Sequence, residues 1–310
     1  MQGSTFIGKF LSYVEIKTKI TSVMTFVLVL CYLFFMRQEL NWINTLLFFA
    51  SMLLLDLATT ALNNYIDTKT NHQTLIIKRN SALVIFFVLL VLSIVLGVLL
   101  ALRTDVVVLL VGMLCFAAGI LYTYGPVPIS RLPLGEVFSG IFYGFFIPFL
   151  LIYINMPIGS VIAVKYQASV NRLLLTFDLE ILLAIILLSV IPVCVTANIM
   201  LANNICDLEK DVAVKRHTLP YYLGDKALLL FSLIYYATYV SNILMVVFGI
   251  LNPITLIALL TFPLVYGNIT KFKKLQDKDT TFNLSIMNFV IIMGANILAI
   301  FIGALLKGGV

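Results

Sequence analysis

Charge is what this chain has least of: Asp, Glu, Lys and Arg make up 11% of its 310 residues, less than half of the roughly 25% that a soluble domain carries. A disordered chain needs polar, charged composition, so disorder is excluded. Nine prolines and 17 glycines are too few for a collagen-like rod. Cysteine is sparse as well. Cys31, Cys115 and Cys194 lie inside apolar runs, Cys206 follows one, and no C-x-x-C pair occurs, which argues against a zinc site or a disulfide framework.

What is there is apolar. Hydrophobic residues reach 62% and the mean hydropathy is +1.10, so two soluble domains, the expectation from length alone at ~150 residues each, are set aside. The apolar residues fall into about nine runs near 20–36, 43–62, 81–102, 106–124, 137–155, 180–202, 227–251, 254–270 and 282–306, each close to the ~20 residues needed to span a bilayer. Backbone in lipid must satisfy its own hydrogen bonds, and the runs are too long and continuous for barrel strands. An all-α membrane bundle of about nine transmembrane helices, one domain over 1–310, is expected. The first run follows Lys9, Glu15, Lys17 and Lys19 without a small-residue cleavage pattern and reads as a retained helix.

The net charge of +6 could suggest nucleic acid, but the basic residues are spread over short connectors. Fifteen Lys and Arg lie on the side of the N-terminus and five (Arg37, Arg103, Lys165, Arg172, Lys307) on the other. The positive-inside rule then predicts a cytoplasmic N-terminus in the cell membrane. The polar clusters at 63–71 and 203–211 lie on the same side, which places any chemistry at the cytoplasmic mouth, and neither a nucleic-acid nor a protein partner is expected.

Two polar clusters interrupt this pattern. The second run ends in NNYIDTKTN, giving Asn63, Asn64, Asp67 and Asn71; the sixth ends in NNICDLEKD, giving Asn203, Asn204, Asp207 and Asp211. The quartets match at an offset of 140, which implies an internal four-helix repeat. On a helix, positions i, i+1, i+4 and i+8 share one broad face, so each quartet can turn amide oxygens and carboxylates into a cavity. Hard oxygens of this kind suit Mg²⁺, which is usually held by one or two carboxylates together with substrate phosphates. Asn63, Asp67, Asn203, Asp207 and Asp211 are the candidate metal ligands, and Lys78, Arg79, Arg131 and Arg216 the candidate diphosphate partners. A single N-x-x-D is more often a helix-end cap than a ligand; its repetition is what favours the metal. The histidines His72 and His217 follow the quartets and read as solvated loop residues.

The connector LYTYGPVPISRLPLGE at 121–136 packs three prolines beside Tyr122 and Tyr124, a rigid surface turn. Its tyrosines suit either membrane anchors or a lid over an electron-poor centre. Asp56 lies three helical turns deeper than Asp67 and should face the bundle interior. Glu15, Asp56 and Glu136 are the candidates to orient an aromatic substrate.

With these motifs the sequence resembles the UbiA superfamily of intramembrane aromatic prenyltransferases, over nearly its whole length. FLSYVEIKTKITSV, YTYGPVPISRLPLGE and NNICDLEKDVAVKRHTLPYYLG are most similar to its 1,4-dihydroxy-2-naphthoate polyprenyltransferase branch. In the first motif two acids usual in the family fall on Asn64 and Asn71, leaving Asp67 as its carboxylate. The resemblance implies transfer of a polyprenyl group from its diphosphate to the naphthoate with loss of carbon dioxide, giving a demethylmenaquinol of menaquinone biosynthesis. It also implies Mg²⁺ and catalytic roles for Asp67, Asp207 and Asp211. Other acceptors, such as 4-hydroxybenzoate or homogentisate, stay open. So does a transporter, although transport sites normally lie nearer the bilayer midplane.

Overall fold

The computed structural model describes residues 5–70, 74–126, 128–167, 169 and 171–307. Among them nine helical segments are long and apolar enough to cross a membrane, as the hydropathy pattern predicts. The chain divides into two compact units, Met1–Val23 with Trp42–Arg131, and Met24–Asn41 with Leu132–Val310.

The first unit is built on α1 (Phe6–Tyr13), a 3₁₀ turn (Ile16–Lys19), α3 (Trp42–Thr70), α4 (Arg79–Arg103) and α5 (Val106–Thr123), with α2 (Ile20–Phe35) beginning at its edge. The α5 helix starts where it does because Asp105 accepts from the N–H groups of Val107 and Val108, satisfying donors that lipid would leave bare. Water gives no drive for helices to associate inside a bilayer, so small side chains and polar pairs hold them together. Ser51 and Ser93 exchange hydroxyl-to-carbonyl bonds of 2.9 and 2.6 Å between α3 and α4. Tyr13 reaches from α1 to the carbonyl of Ala61 at 2.7 Å, within a core that includes Leu57, Ala58, Leu62 and Phe86. On the outer side of α4, Val84, Phe87, Val88 and Val91 are exposed and suit lipid.

In the second unit α8 (Leu179–Cys206) packs against α11 (Lys226–Val247), α13 (Asn283–Lys307) and a broken span made of α6 (Gly135–Ile141), a π-helical turn (Phe142–Phe146) and α7 (Ile147–Tyr153). Gly140 and Gly144, four residues apart, let that span close on α8. A Cβ on Gly144 would stand 2.2 Å from the Val193 nitrogen, and one on Gly140 3.0 Å from the Val193 oxygen. Asparagines tie the remaining helices: Asn242 donates to Asn296, and Asn268, on α12 (Phe262–Lys274), donates to Asn288, each at 2.8 Å. The α9 (Leu208–Ala213) and α10 (Leu219–Leu223) helices are short.

Two features depart from the hydropathy reading. The second and sixth spans continue well past their apolar stretches, to Thr70 and Cys206, so most of each quartet is carried on helix. The connector between the fifth and sixth spans forms an antiparallel hairpin, β1 (Ile162–Gln167) with β2 (Arg172–Phe177), in the register Ile162 opposite Phe177 and Gln167 opposite Arg172. Its β-branched and aromatic residues suit strands, but a scan tuned to 20-residue apolar windows passes over such short segments.

Candidate functional site

In the first unit α3 delivers Asn63 and Asp67 one turn apart on a common face. Asn63 Oδ1 accepts from the Thr123 hydroxyl at 3.1 Å, which fastens the end of α5, and with it Tyr122 and Tyr124, to the first quartet. Asn64 turns elsewhere and donates to the Tyr13 carbonyl at 2.9 Å and to Glu15 Oε1 at 3.0 Å. Glu15 sits in the left-handed region, with φ 48°. Arg79 opens α4, donates to the Tyr65 carbonyl at 2.8 Å and lies 4.6 Å from the centre of the Tyr65 ring. Its guanidinium is thereby stacked within two residues of Asp67. Lys78, Arg131 and Tyr124 are exposed. Asn71 and His72 lie outside the described residues.

Asp56 is buried, three turns deeper on α3, in a filled network. Lys19 donates to its Oδ1 at 2.7 Å and Ser22 to its Oδ2 at 2.7 Å, while Thr60 also accepts from Lys19 at 2.5 Å. A carboxylate and an ammonium share the cost of burial in this way.

In the second unit the quartet is divided. The α8 helix ends at Cys206, Asp207 takes φ −99° and ψ 7°, and α9 begins at Leu208. The backbone ladder continues across the break, Asp207 N–H to the Asn203 carbonyl at 3.0 Å and Asp211 N–H to the Asp207 carbonyl at 2.8 Å. Asn204 donates to Glu136 Oε1 at 2.8 Å. Both are buried, and Glu136 Oε2 and Asn204 Oδ1 have no hydrogen-bond partner among the described residues. Asp211 is buried with Arg216 Nη1 3.6 Å from its Oδ1. This joins two residues that the sequence assigns to different ligands, the metal and the diphosphate.

Asn203 and Asp207 converge on a residue that the sequence reading treats only as a loop charge. Lys278 donates to Asn203 Oδ1 and to Asp207 Oδ2 and lies 4.8 Å from the Phe282 ring centre. A well-built turn presents it. Asp277 Oδ1 accepts from the Thr280 hydroxyl at 2.6 Å and the Thr280 N–H at 2.9 Å, while Thr281 accepts from the Asp277 N–H at 2.9 Å. The Thr280 hydroxyl and N–H together hold the Asp277 carboxyl below its usual range. The turn-forming DKDTT between two helices is the signal for this segment; nothing in one sequence connects it to position 207.

Do these groups suit a divalent cation? Asn203 and Asp207 already grip a positive charge with an amide and a carboxylate oxygen, the hard donors that Mg²⁺ prefers. Among the described residues no three His, Cys, Asp or Glu side chains gather into a metal cage. Mg²⁺ does not ask for one, since waters and substrate phosphates complete its shell. The donor set fits.

Nine apolar spans among the described residues, lipid-facing apolar side chains and polar clusters at helix ends define a multi-pass integral membrane protein. Residues 22–292 match the UbiA prenyltransferase family, and the chain belongs to that family. A relative from Bacillus subtilis (strain 168), 1,4-dihydroxy-2-naphthoate octaprenyltransferase, is 26% identical over 244 residues, covering 74% of this chain and 71% of that protein. Among solved structures the fold is similar to a UbiA homolog from Aeropyrum pernix K1, with a TM-score of 0.63 at 19% identity over 89% of this chain and 97% of that one. It is also similar to a UbiA homolog from Archaeoglobus fulgidus bound to DMAPP and Mg²⁺, with a TM-score of 0.56 at 14% identity over 96% and 99%. A structure concerning digeranylgeranylglyceryl phosphate synthase in membranes gives a TM-score of 0.64 at 18% identity over 96% and 98%.

Proposed function

We propose that this protein transfers a polyprenyl group from its diphosphate to 1,4-dihydroxy-2-naphthoate, with decarboxylation, at the cytoplasmic face of the cell membrane. The observation that carries the reading is the convergence of Asn203 and Asp207 on one cation, in a chain whose family is prenyltransferase. The naphthoate acceptor rests on the Bacillus subtilis relative.

Asn63 and Asp67 of the first unit and, separately, Asn203, Asp207 and Asp211 of the second would hold Mg²⁺, which when bound supplies positive charge to neutralise a departing diphosphate. The chain's own residues do the rest. Arg79, Arg216, Arg131 and Lys78 bind phosphate oxygens and stabilise the charge that grows there as the allylic C–O bond breaks and its electron pair leaves with diphosphate. The ring carbon that bears the carboxylate then bonds the allylic carbon, and the carboxylate departs as carbon dioxide, leaving the electron pair of its C–C bond to restore the aromatic ring. Phe138, Phe142 and Phe146 lie one turn apart with ring centres 5.7 and 5.0 Å from one another, a row of π faces suited to a developing carbocation and its isoprenoid tail. Tyr122 and Tyr124, tied to Asn63 through Thr123, would cover the acceptor, and Glu15 or Glu136 would orient it.

The test is a product assay. Purified protein with Mg²⁺ and a polyprenyl diphosphate is given 1,4-dihydroxy-2-naphthoate, 4-hydroxybenzoate, homogentisate or a glyceryl phosphate, and products are identified by mass spectrometry. Prenylated naphthoquinol with matching carbon dioxide release supports the proposal. Product from another acceptor alone would overturn the choice of substrate.

A further inference from the structure

Lys278 has no role in the scheme above, yet it makes the most direct contact with its second acidic motif. Its ammonium bonds one oxygen of Asn203 and one of Asp207. Its side chain is one-third exposed, against one-fifth for Asp207, so the pair sits where solvent and ligand can reach it. The contact is built rather than incidental. Asp277 accepts two bonds from Thr280, the Thr281 hydroxyl donates to the Leu275 carbonyl at 2.8 Å, and the Phe282 ring lies under the ammonium. A second lysine near Asp207, Lys210, lies 3.7 Å away with its side chain about four-fifths exposed, a solvated charge of the ordinary kind.

We propose that Lys278 is the resident counter-cation of the second acidic motif. It neutralises Asp207 and donates to the Asn203 amide oxygen while the protein is empty, and it moves to the phosphate oxygens of the prenyl diphosphate when that substrate enters with its metal. This rests on the assignment of Asn203 and Asp207 as metal ligands. The physical reason is competition for the same lone pairs. An ammonium on a flexible four-carbon stem can leave a carboxylate without disturbing the fold and still offer three donors to a new anion. A divalent ion arriving alone must displace the lysine from Asp207 and leave its ammonium to solvent and the neighbouring loop carboxylates Asp277 and Asp279. When diphosphate arrives too, the displaced ammonium has a partner. Metal and diphosphate therefore bind with positive coupling, and each strengthens the other by the same factor.

The experiment measures Mn²⁺ binding to full-length protein in nanodiscs by electron paramagnetic resonance, with and without the unreactive probe geranyl S-thiolodiphosphate. Wild type, Lys278→Met, Lys278→Gln and Asp207→Asn are compared. Without the probe, Lys278→Met and Lys278→Gln bind Mn²⁺ about tenfold more tightly than wild type, the low end for a residue acting on metal ligands. The enhancement by the thiolodiphosphate is large in wild type and shrinks in both variants. A readout on the wild type does not depend on how the variants fold: saturating Mn²⁺ alone raises the rate at which an amine reagent labels Lys278, followed by mass spectrometry. Unchanged Mn²⁺ affinity in both lysine variants, with affinity lost in Asp207→Asn, would overturn the lysine assignment and leave the metal site standing. Unchanged affinity in Asp207→Asn would overturn both.

Discussion

Lys19 Nζ lies 2.7 Å from Asp56 Oδ1 with both side chains almost fully buried, and the second Asp56 oxygen is held by Ser22. The pair joins the start of the first span to the middle of the second within one unit. Removing one partner strands the other charge, which costs about 3–5 kcal/mol, whereas replacing both with apolar groups is often neutral. Asp56→Leu is therefore expected to lower the melting temperature in detergent sharply, and Lys19→Met with Asp56→Leu to restore most of it. Prenyl transfer per folded molecule should stay near the wild-type value in the double variant. A well-folded double variant with no activity would instead mean that Asp56 touches substrate.

The close approach at Gly144 makes a second prediction. A methyl group there would meet the Val193 backbone at 2.2 Å, and backbone cannot rotate away as a side chain can. Overpacking of this kind typically costs 1–3 kcal/mol, and the strain would fall on α8, the helix that carries Asn203. Gly144→Ala should lose both stability and activity. Gly112→Ala is the control, because nothing lies within 4 Å of its Cβ position in α5. It should be neutral or gain about 0.5–1 kcal/mol from helix propensity. Thermal unfolding of the two variants side by side checks the contrast.

Much of this architecture was legible in the sequence, because lipid imposes one rule on every span. Each run, the first included, appears as helix within a few residues of its apolar stretch, apart from the polar extensions to Thr70 and Cys206 and with the eighth beginning as a 3₁₀ stretch over Pro253–Thr261. Hydropathy ends where the helix leaves the apolar layer, while the hydrogen-bond ladder does not. The two quartets stand out in the sequence as a repeated spacing. Their partners do not. Thr123 meets Asn63, Glu136 meets Asn204 and Lys278 meets Asp207 across 60, 68 and 71 residues, separations at which one sequence carries no periodic signal.

Arg79 offers a test that separates charge from shape. Its guanidinium is pre-positioned by the Tyr65 carbonyl and ring, so little order remains to be lost when it binds a phosphate. A hydrogen bond to a charged group contributes about 1.5–3 kcal/mol. Arg79→Ala should raise the KM for prenyl diphosphate by roughly one to two orders of magnitude on that scale. Arg79→Lys keeps the charge but loses the planar fork and the stacked geometry, and should recover only part of the loss. Full recovery by lysine would mean that Arg79 acts through its field alone. A KM unchanged in both variants would remove it from the diphosphate site.

The acidic motifs themselves differ in how their charge is compensated. Asp67 is the only carboxylate of the first quartet, whereas the second has two, and Asp211 is already paired with Arg216. Asp67→Asn removes all the formal negative charge its motif brings to a cation. Asp207→Asn removes the carboxylate that Lys278 marks as the cation's seat. Loss of either should raise the Mg²⁺ concentration for half-maximal activity by about 10–100-fold or more, since even outer-shell changes have effects of that size. Asp211→Asn should do less to metal demand and more to the diphosphate KM, because it frees Arg216 from its partner. The measurement is a Mg²⁺ titration of initial rate for each variant, with EDTA abolishing wild-type turnover and added Mg²⁺ restoring it. Equal Mg²⁺ demand in Asp67→Asn and wild type would show that the first motif reaches no metal, and turnover that survives EDTA would remove the metal from the reaction altogether.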